Sequence, residues 1–404
     1  MSLFLQLALV LAILITAAKL AGYVSLKLGQ PSVLGELIAG LILGPSLLNM
    51  LHWTPFSSEH LGETIHCIAE IGVLLLMFIA GLDLHISDLA KSGKVAVLAG
   101  TLGVIFPIVM GYGLGKFYAL AMIPAIFVGL ILAATSVSIS AQTLIELKML
   151  RSRVGVTLLG AAVFDDILVV LGLSVVVAMT GENAGGMLSI AFIALRMGLY
   201  FVVATLLGLW LLPKLSVRVN RLPISQGLIA FTFVVILLYA WTAEVLGTMA
   251  AITGAFLAGV LFTRSPLKER IQAGTSTVAY GIFVPIFFAN VGLAANARML
   301  SLDNIWLVLA MIAVAVVSKV LGSGLGARLA GFTNIEATQL GVGMMSRGEV
   351  GLIAASLGIA QGIINQQVFA AMVGVVIITT LLTPPMLRAL FANGGLKMAH
   401  PTAY

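Results

Sequence analysis

The stretch Ala161-Ala162-Val163-Phe164-Asp165-Asp166-Ile167-Leu168-Val169-Val170 sets two adjacent carboxylates in an otherwise apolar run, with nothing nearby in sequence to neutralise them. The run extends from about residue 154 to 180, enough helix to cross a hydrocarbon core of ~30 Å, which takes ~20 residues. At a rise of 1.5 Å per residue the acids lie ~17 to 18 Å from its start, about halfway across. A charged group facing lipid there would cost ~2.5 to 3.5 kcal/mol, so intramembrane acids turn to a protein interior or a water-filled cavity. Neighbours on a helix point ~100° apart. The two carboxylates therefore meet different surroundings and must do different jobs.

The rest of the chain has the same character. Of 404 residues, 61% are hydrophobic and 9% charged, against roughly 25% charged in a soluble domain. Thirteen apolar spans are expected, near residues 3–26, 33–51, 65–84, 94–116, 121–145, 154–180, 187–212, 226–243, 247–263, 275–295, 304–328, 337–361 and 367–390. The ~10-residue alternation of a transmembrane barrel is missing, so the spans are helices. The lipid bilayer is the first partner. The net charge of +6 does not point to nucleic acid once the basic residues are assigned to loops. With the N-terminus outside, fifteen Lys and Arg fall on the inner side, among them Lys148, Arg151, Arg153, Arg218 and Arg264, against Lys116 and Arg298 outside. Dropping one span would scramble that asymmetry, so the C-terminus is expected in the cytoplasm. Met1-Ser-Leu-Phe lacks the basic start of a signal peptide, and the first span is expected to be retained. The single cysteine, Cys67, excludes an intramolecular disulfide or a cysteine metal cluster and is expected as a small packed side chain.

Two halves follow one plan. A shift of 211 residues brings Val97-Leu-Ala99 onto Val308-Leu-Ala310, Gly81-Leu82 onto Gly292-Leu293, and Gly113-Leu-Gly115 onto Gly324-Leu-Gly326. At 219, Gly35 to Leu43 falls on Gly254 to Phe262. Six spans, one connector and six spans make the second six start from the opposite side, so the repeats are inverted. That architecture suits a midplane site exposed alternately to each face.

Both halves are disrupted in the same place. Thr135-Ser136-Val-Ser138-Ile-Ser140 interrupts the fifth span, and the shift of 211 sends Thr135 onto Ser346, which opens Ser346-Arg347-Gly348-Glu349. Hydroxyls in a membrane helix commonly bond back to a carbonyl of the preceding turn, but that does not account for Arg347 and Glu349. Unwound helices crossing at the midplane present half-helix dipole ends. Arg347 is expected to face carbonyl-rich ends and Glu349 amide-rich ends.

The one lysine buried as deeply is Lys319, in Ala313-Val-Ala-Val-Val-Ser-Lys319-Val-Leu-Gly. Paired with one aspartate it leaves the other over, and both acids ionised with a protonated lysine sum to minus one, which suits one monovalent cation or one proton. Burial disfavours the charged form of carboxylates and amines alike, as proton-coupled exchange requires. A structural ion pair holding two helices together is the competing reading. Arg196, Glu36 and Lys19 read as structural, Lys19 by snorkelling to the inner surface. Gly111-Tyr-Gly-Leu-Gly-Lys116 mimics a nucleotide loop but has no strand before it, so close helix packing is expected. The five histidines have no metal-ligand spacing.

With "TSVSIS" (135–140), "FDD" (164–166), "SKVLGSGLGARLAG" (318–331) and "SRGEVGLI" (346–353) in place, the chain resembles the bacterial monovalent cation:proton antiporters, close to the NapA-like sodium/proton exchangers. The resemblance covers essentially the whole chain. It implies a homodimer, a mobile core moving as an elevator against a dimerisation domain, and Na+ and H+ as the transported species with no cofactor and no enzymatic activity. It implies that Asp166 binds cation and proton, Asp165 pairs with Lys319, and Thr135, Ser136 and Ser138 stand beside the site in one broken helix, with Arg347 and Glu349 in the other. In electrogenic members the acid pair and lysine accompany two protons per sodium. The domain plan it implies is 1–93 for dimerisation, 94–186 core, 187–225 connector, 226–303 dimerisation, 304–391 core and 392–404 tail. Glutathione-gated potassium-efflux relatives carry Gln-Asp at the acid pair and a cytoplasmic nucleotide-binding domain, which the short tail here is not expected to supply. A K+/H+ antiporter or potassium-efflux protein is the alternative. Intramembrane aspartyl proteases place their two aspartates on separate helices, unlike the adjacent pair.

Overall fold

The computed structural model describes residues 2–54, 56, 60–84, 86–180, 186–299 and 305–393. The described chain is helical: α1 (Leu3–Lys27), α2 (Ser32–Leu43), α3 (Leu61–Asp83), α4 (Ile86–Phe117), α5 (Met122–Ala133), α6 (Val137–Glu146), α7 (Arg153–Thr180), α8 (Gly186–Asn220), α9 (Gly227–Val245), α10 (Ala251–Phe262), α11 (Lys268–Val278), α12 (Val284–Ala294), α13 (Ile305–Leu329), α14 (Asn334–Gly343), α15 (Glu349–Ala360) and α16 (Gln366–Asn393). A π-helical turn at Ala279–Phe283 joins α11 to α12.

Among the described residues, ten segments have the length and hydropathy to cross a membrane. The expected spans at 33–51 and 247–263 form helices of only 12 residues each, α2 and α10. Such helices rise only about 18 Å. Pro31 and the Gly44-Pro45 pair bound α2, and Ser265-Pro266 follows α10. Helix α10 is surrounded by protein rather than lipid: every residue from Thr253 to Phe262 is buried. Helix α10 can approach α3 closely because a methyl at Gly259 would strike the Phe78 carbonyl and one at Gly81 the Phe256 carbonyl. The expected span at 337–361 is broken into α14 and α15.

The helices pack as two groups. In one, α3 lies against α10 and α12, α2 against α1 and α12, and α9 against α8 and α10. In the other, α4 packs against α5, α7 and α13, and α13 against α14 and α16. Smaller contacts join them, α6 with α2 and α3, α7 with α8, and α16 with α2. Glu146, at the end of α6, caps α2 across this junction: its carboxylate accepts from Ser32 N (2.5 Å), Ser32 Oγ (2.7 Å) and Val33 N (3.3 Å).

Three local expectations change. Cys67 is exposed on α3 rather than packed, because α3 begins at Leu61 and turns that position outward. Lys19 does not simply snorkel; its ammonium lies 3.7 Å from the Glu36 carboxylate, an α1–α2 ion pair. The glycines of the 111–116 run are not all for packing: Gly111 abuts Gly129 and Gly115 abuts Ala125, but Gly113 faces open space. Arg196 donates to the Val245 and Leu246 carbonyls at the end of α9, a structural use that also complements the helix dipole.

Candidate functional site

The two helix breaks meet. Between α5 and α6, Ala134 and Ser136 have extended backbone (ψ 129° and 102°), and the Ser136 N–H donates to the Ser346 carbonyl across the gap at 2.8 Å. Ser136 Oγ pairs with Ser138 Oγ at 3.3 Å in the first turn of α6. The second break, from Met344 to Gly348, accepts this approach because Gly348 has no side chain; a methyl there would stand 2.6 Å from Ser136 Oγ. Ser140 Oγ donates to the Gly343 carbonyl at 2.5 Å, serving one of the orphan acceptors at the end of α14.

Arg347 is fully buried, and its guanidinium donates to the carbonyls of Met344 (3.2 Å), Met345 (2.9 Å) and Ala315 (3.0 Å). A fixed cation thus sits against the carbonyl end of α14, where the dipole favours it. Its backbone is held by α16: Thr380 Oγ1 donates to the Arg347 carbonyl (2.6 Å), and the Arg347 N–H donates to Thr379 Oγ1 (3.1 Å). Glu349 opens α15; its side chain lies outside the described residues.

Beside the breaks runs α7, continuous through the acid pair. Asp165 is fully buried and fully engaged. Lys319 Nζ on α13 donates to Oδ1 at 2.5 Å, and Thr135 Oγ1 in the first break donates to Oδ2 at 2.7 Å. One helix from each half of the chain is therefore tied to the same carboxylate. Asp166 stands on the adjoining face of α7 and keeps part of its surface exposed. An apolar cavity of about 280 Å³ borders that helix, lined by Gly160, Val163, Phe164 and Ile167 of α7, Ala96 and Val97 of α4, and Phe256 and Leu257 of α10. It lies between the two helix groups and runs along α7 from Gly160 to Ile167, the residue after Asp166.

The expected residues thus fall together, though not as equals. Thr135, Asp165 and Lys319 form one hydrogen-bonded cluster, Ser136 and Ser138 line the first break, and Arg347 serves the second. Arg347 also alters the charge count made from the sequence: with it, Asp165, Asp166 and Lys319 fully ionised would sum to zero, less whatever charge the carbonyl ends absorb. Sequence reading missed the clasp of Thr379 and Thr380 and the bridge of Glu146. The paired threonines in the last span were a usable signal; an acid at a helix end was not.

This arrangement has clear relatives. The family model described as "Sodium/hydrogen exchanger, transmembrane" matches residues 11–393. The chain is 38% identical over 382 residues to the Na(+)/H(+)-K(+) antiporter GerN of Bacillus cereus, covering 94% of this chain and 95% of that protein. It is 33% identical over 380 residues to a Na(+)/H(+) antiporter of Enterococcus hirae, with 94% and 96% covered. In architecture it matches the sodium proton antiporter MjNhaP1 of Methanocaldococcus jannaschii, with a TM-score of 0.70 over 97% of this chain and 98% of that one, at 18% identity. The chain belongs to the sodium/hydrogen exchanger family, as a multi-pass membrane antiporter.

Proposed function

We propose that the chain exchanges Na+ for H+ at Asp166, with Asp165 and Lys319 as the partner pair. The observation that carries this is the unequal treatment of two adjacent acids: Asp165 is tied on both oxygens, while Asp166 keeps part of its surface exposed. On this reading a cation reaching Asp166 gains a carboxylate ligand, Thr135 and Ser136 of the first break are the candidate neutral oxygen ligands, and a proton reaching Asp166 displaces that cation. Competition of the two for one carboxylate is what couples them. Lys319 and Asp165 form a second proton-handling pair, so we propose that exchange is electrogenic. In everted vesicles, Asp166→Asn should abolish Na+-dependent dequenching of a pH dye; robust residual exchange rejects the role of Asp166.

The same reading extends to the larger plan: thirteen spans as inverted repeats, the N-terminus outside and the C-terminus in the cytoplasm of a bacterial inner membrane, and a homodimer in which α4–α7 and α13–α16 move as an elevator against the rest. Its support is the packing of the helices into two groups and the meeting of the breaks within one of them. K+ as the exchanged cation is the second reading, favoured by the name of the 38% identical Bacillus cereus protein, a Na(+)/H(+)-K(+) antiporter. Dye responses to each cation in proteoliposomes separate the two.

A further inference from the structure

We infer that Ser323 is a positioning residue that receives the Lys319 ammonium when it leaves Asp165, and that Gly103 keeps the space in which this happens. Ser323 is fully buried, and its hydroxyl has no hydrogen-bond partner among the described residues. An unpaired buried hydroxyl costs about 1–3 kcal/mol, which a state that gives it a partner recovers. The ordinary remedy was open to it. Thr143, Thr157, Thr232, Thr379 and Thr383 each bond back to the carbonyl four residues earlier. The carbonyl four residues before Ser323 is that of Lys319, and Ser323 makes no such bond.

Its hydroxyl points instead to the face of α4 at Gly103. A methyl there would collide with Ser323 Oγ and stand 3.6 Å from Lys319 Nζ, so both groups border one small space. This differs from the other close glycines of the α4–α13 contact. Methyls at Gly322 and Gly326 would strike the backbone carbonyls of Leu102 and Leu98, which is the geometry of helices drawn together. At Gly103 the missing side chain makes room for side-chain groups.

An ammonium has three donors and no acceptor, and Asp165 Oδ1 takes one of them. On the exchange proposed above, on which this inference rests, a cation arriving at the acid pair weakens that bond. The displaced group lies where it is fully buried and needs an acceptor at once. Ser323 Oγ supplies it, one turn along the same helix. Losing the hydroxyl should then penalise the cation-bound state specifically, raising the half-saturating Na+ concentration far more than it lowers the maximal rate.

The test uses the full-length protein in proteoliposomes, with exchange measured against Na+ concentration at several pH values. Ser323→Ala and Ser323→Cys, the second retaining the volume, should both raise half-saturating Na+ about fivefold or more and displace the pH profile in the same direction. Gly103→Ala, which fills the space but leaves the hydroxyl, should do likewise. Unchanged Na+ dependence in Ser323→Ala overturns the inference, as does wild-type behaviour of Ser323→Cys beside a defective Ser323→Ala, since packing alone would then be at stake. A wild-type protein without Na+-driven proton movement would instead overturn the exchange reading itself.

Discussion

Asp165 and Asp166 differ by one position in sequence and by most of their surroundings. A buried carboxylate bonded to both an ammonium and a hydroxyl is held in place, whereas its neighbour keeps part of its surface exposed. The sequence made the pair conspicuous because acids are costly at that depth, and it made Lys319 and Arg347 conspicuous for the same reason. It could not show that Thr135 bonds the same aspartate as Lys319, because hydroxyls occur in membrane helices for ordinary reasons. Ser323 was invisible for the same cause: its distinction is the space at Gly103 that it shares with the Lys319 ammonium. Lys319→Gln should keep some exchange but lose its dependence on membrane voltage. Measured in proteoliposomes with a clamped potential, an unchanged voltage response would reject the lysine as a proton carrier.

Among elements, the decisive feature is the contact of one break with the other. The pairing of Thr135 with Ser346 by the repeat offset located both breaks in the sequence, and the structure joins them by the bond from Ser136 N–H to the Ser346 carbonyl. What the sequence hid is how that contact is held. Arg347 is pinned by Thr379 and Thr380 of α16, and nothing in the spacing of those threonines names their partner. Gly348 is the glycine at which the two breaks touch, since a side chain there would push against Ser136. Gly348→Ala should lower the melting temperature in detergent and cut exchange at least tenfold. Gly113→Ala, at a glycine facing open space on α4, should leave both near wild type. Equal effects of the two substitutions would show that close contact of the breaks is not what matters.

For the whole molecule, the helical class and the positions of most helices were legible from apolar length alone. The short helices α2 and α10 were not; for α10 the reason is burial in protein, which lets a helix fall below the length that lipid would demand. Grouping was legible only through the family resemblance, since pairing of distant helices leaves no local mark. Glu146 illustrates this: an acid at the end of α6 looks ordinary, yet it caps α2 in the other helix group. Orientation rests on the fifteen-to-two distribution of basic residues between the two sides. A C-terminal green fluorescent protein fusion should therefore fluoresce and a C-terminal alkaline phosphatase fusion stay inactive; the opposite pattern would reverse the topology.

The central claim is that one acid of the pair carries the exchanged ion while the other is held by the lysine. The most direct measurement is Na+-driven proton movement in proteoliposomes of purified wild type and Asp166→Asn, compared at matched protein and lipid. The wild type should show saturable exchange and Asp166→Asn none above empty liposomes. Exchange by Asp166→Asn at a rate comparable to wild type would contradict it.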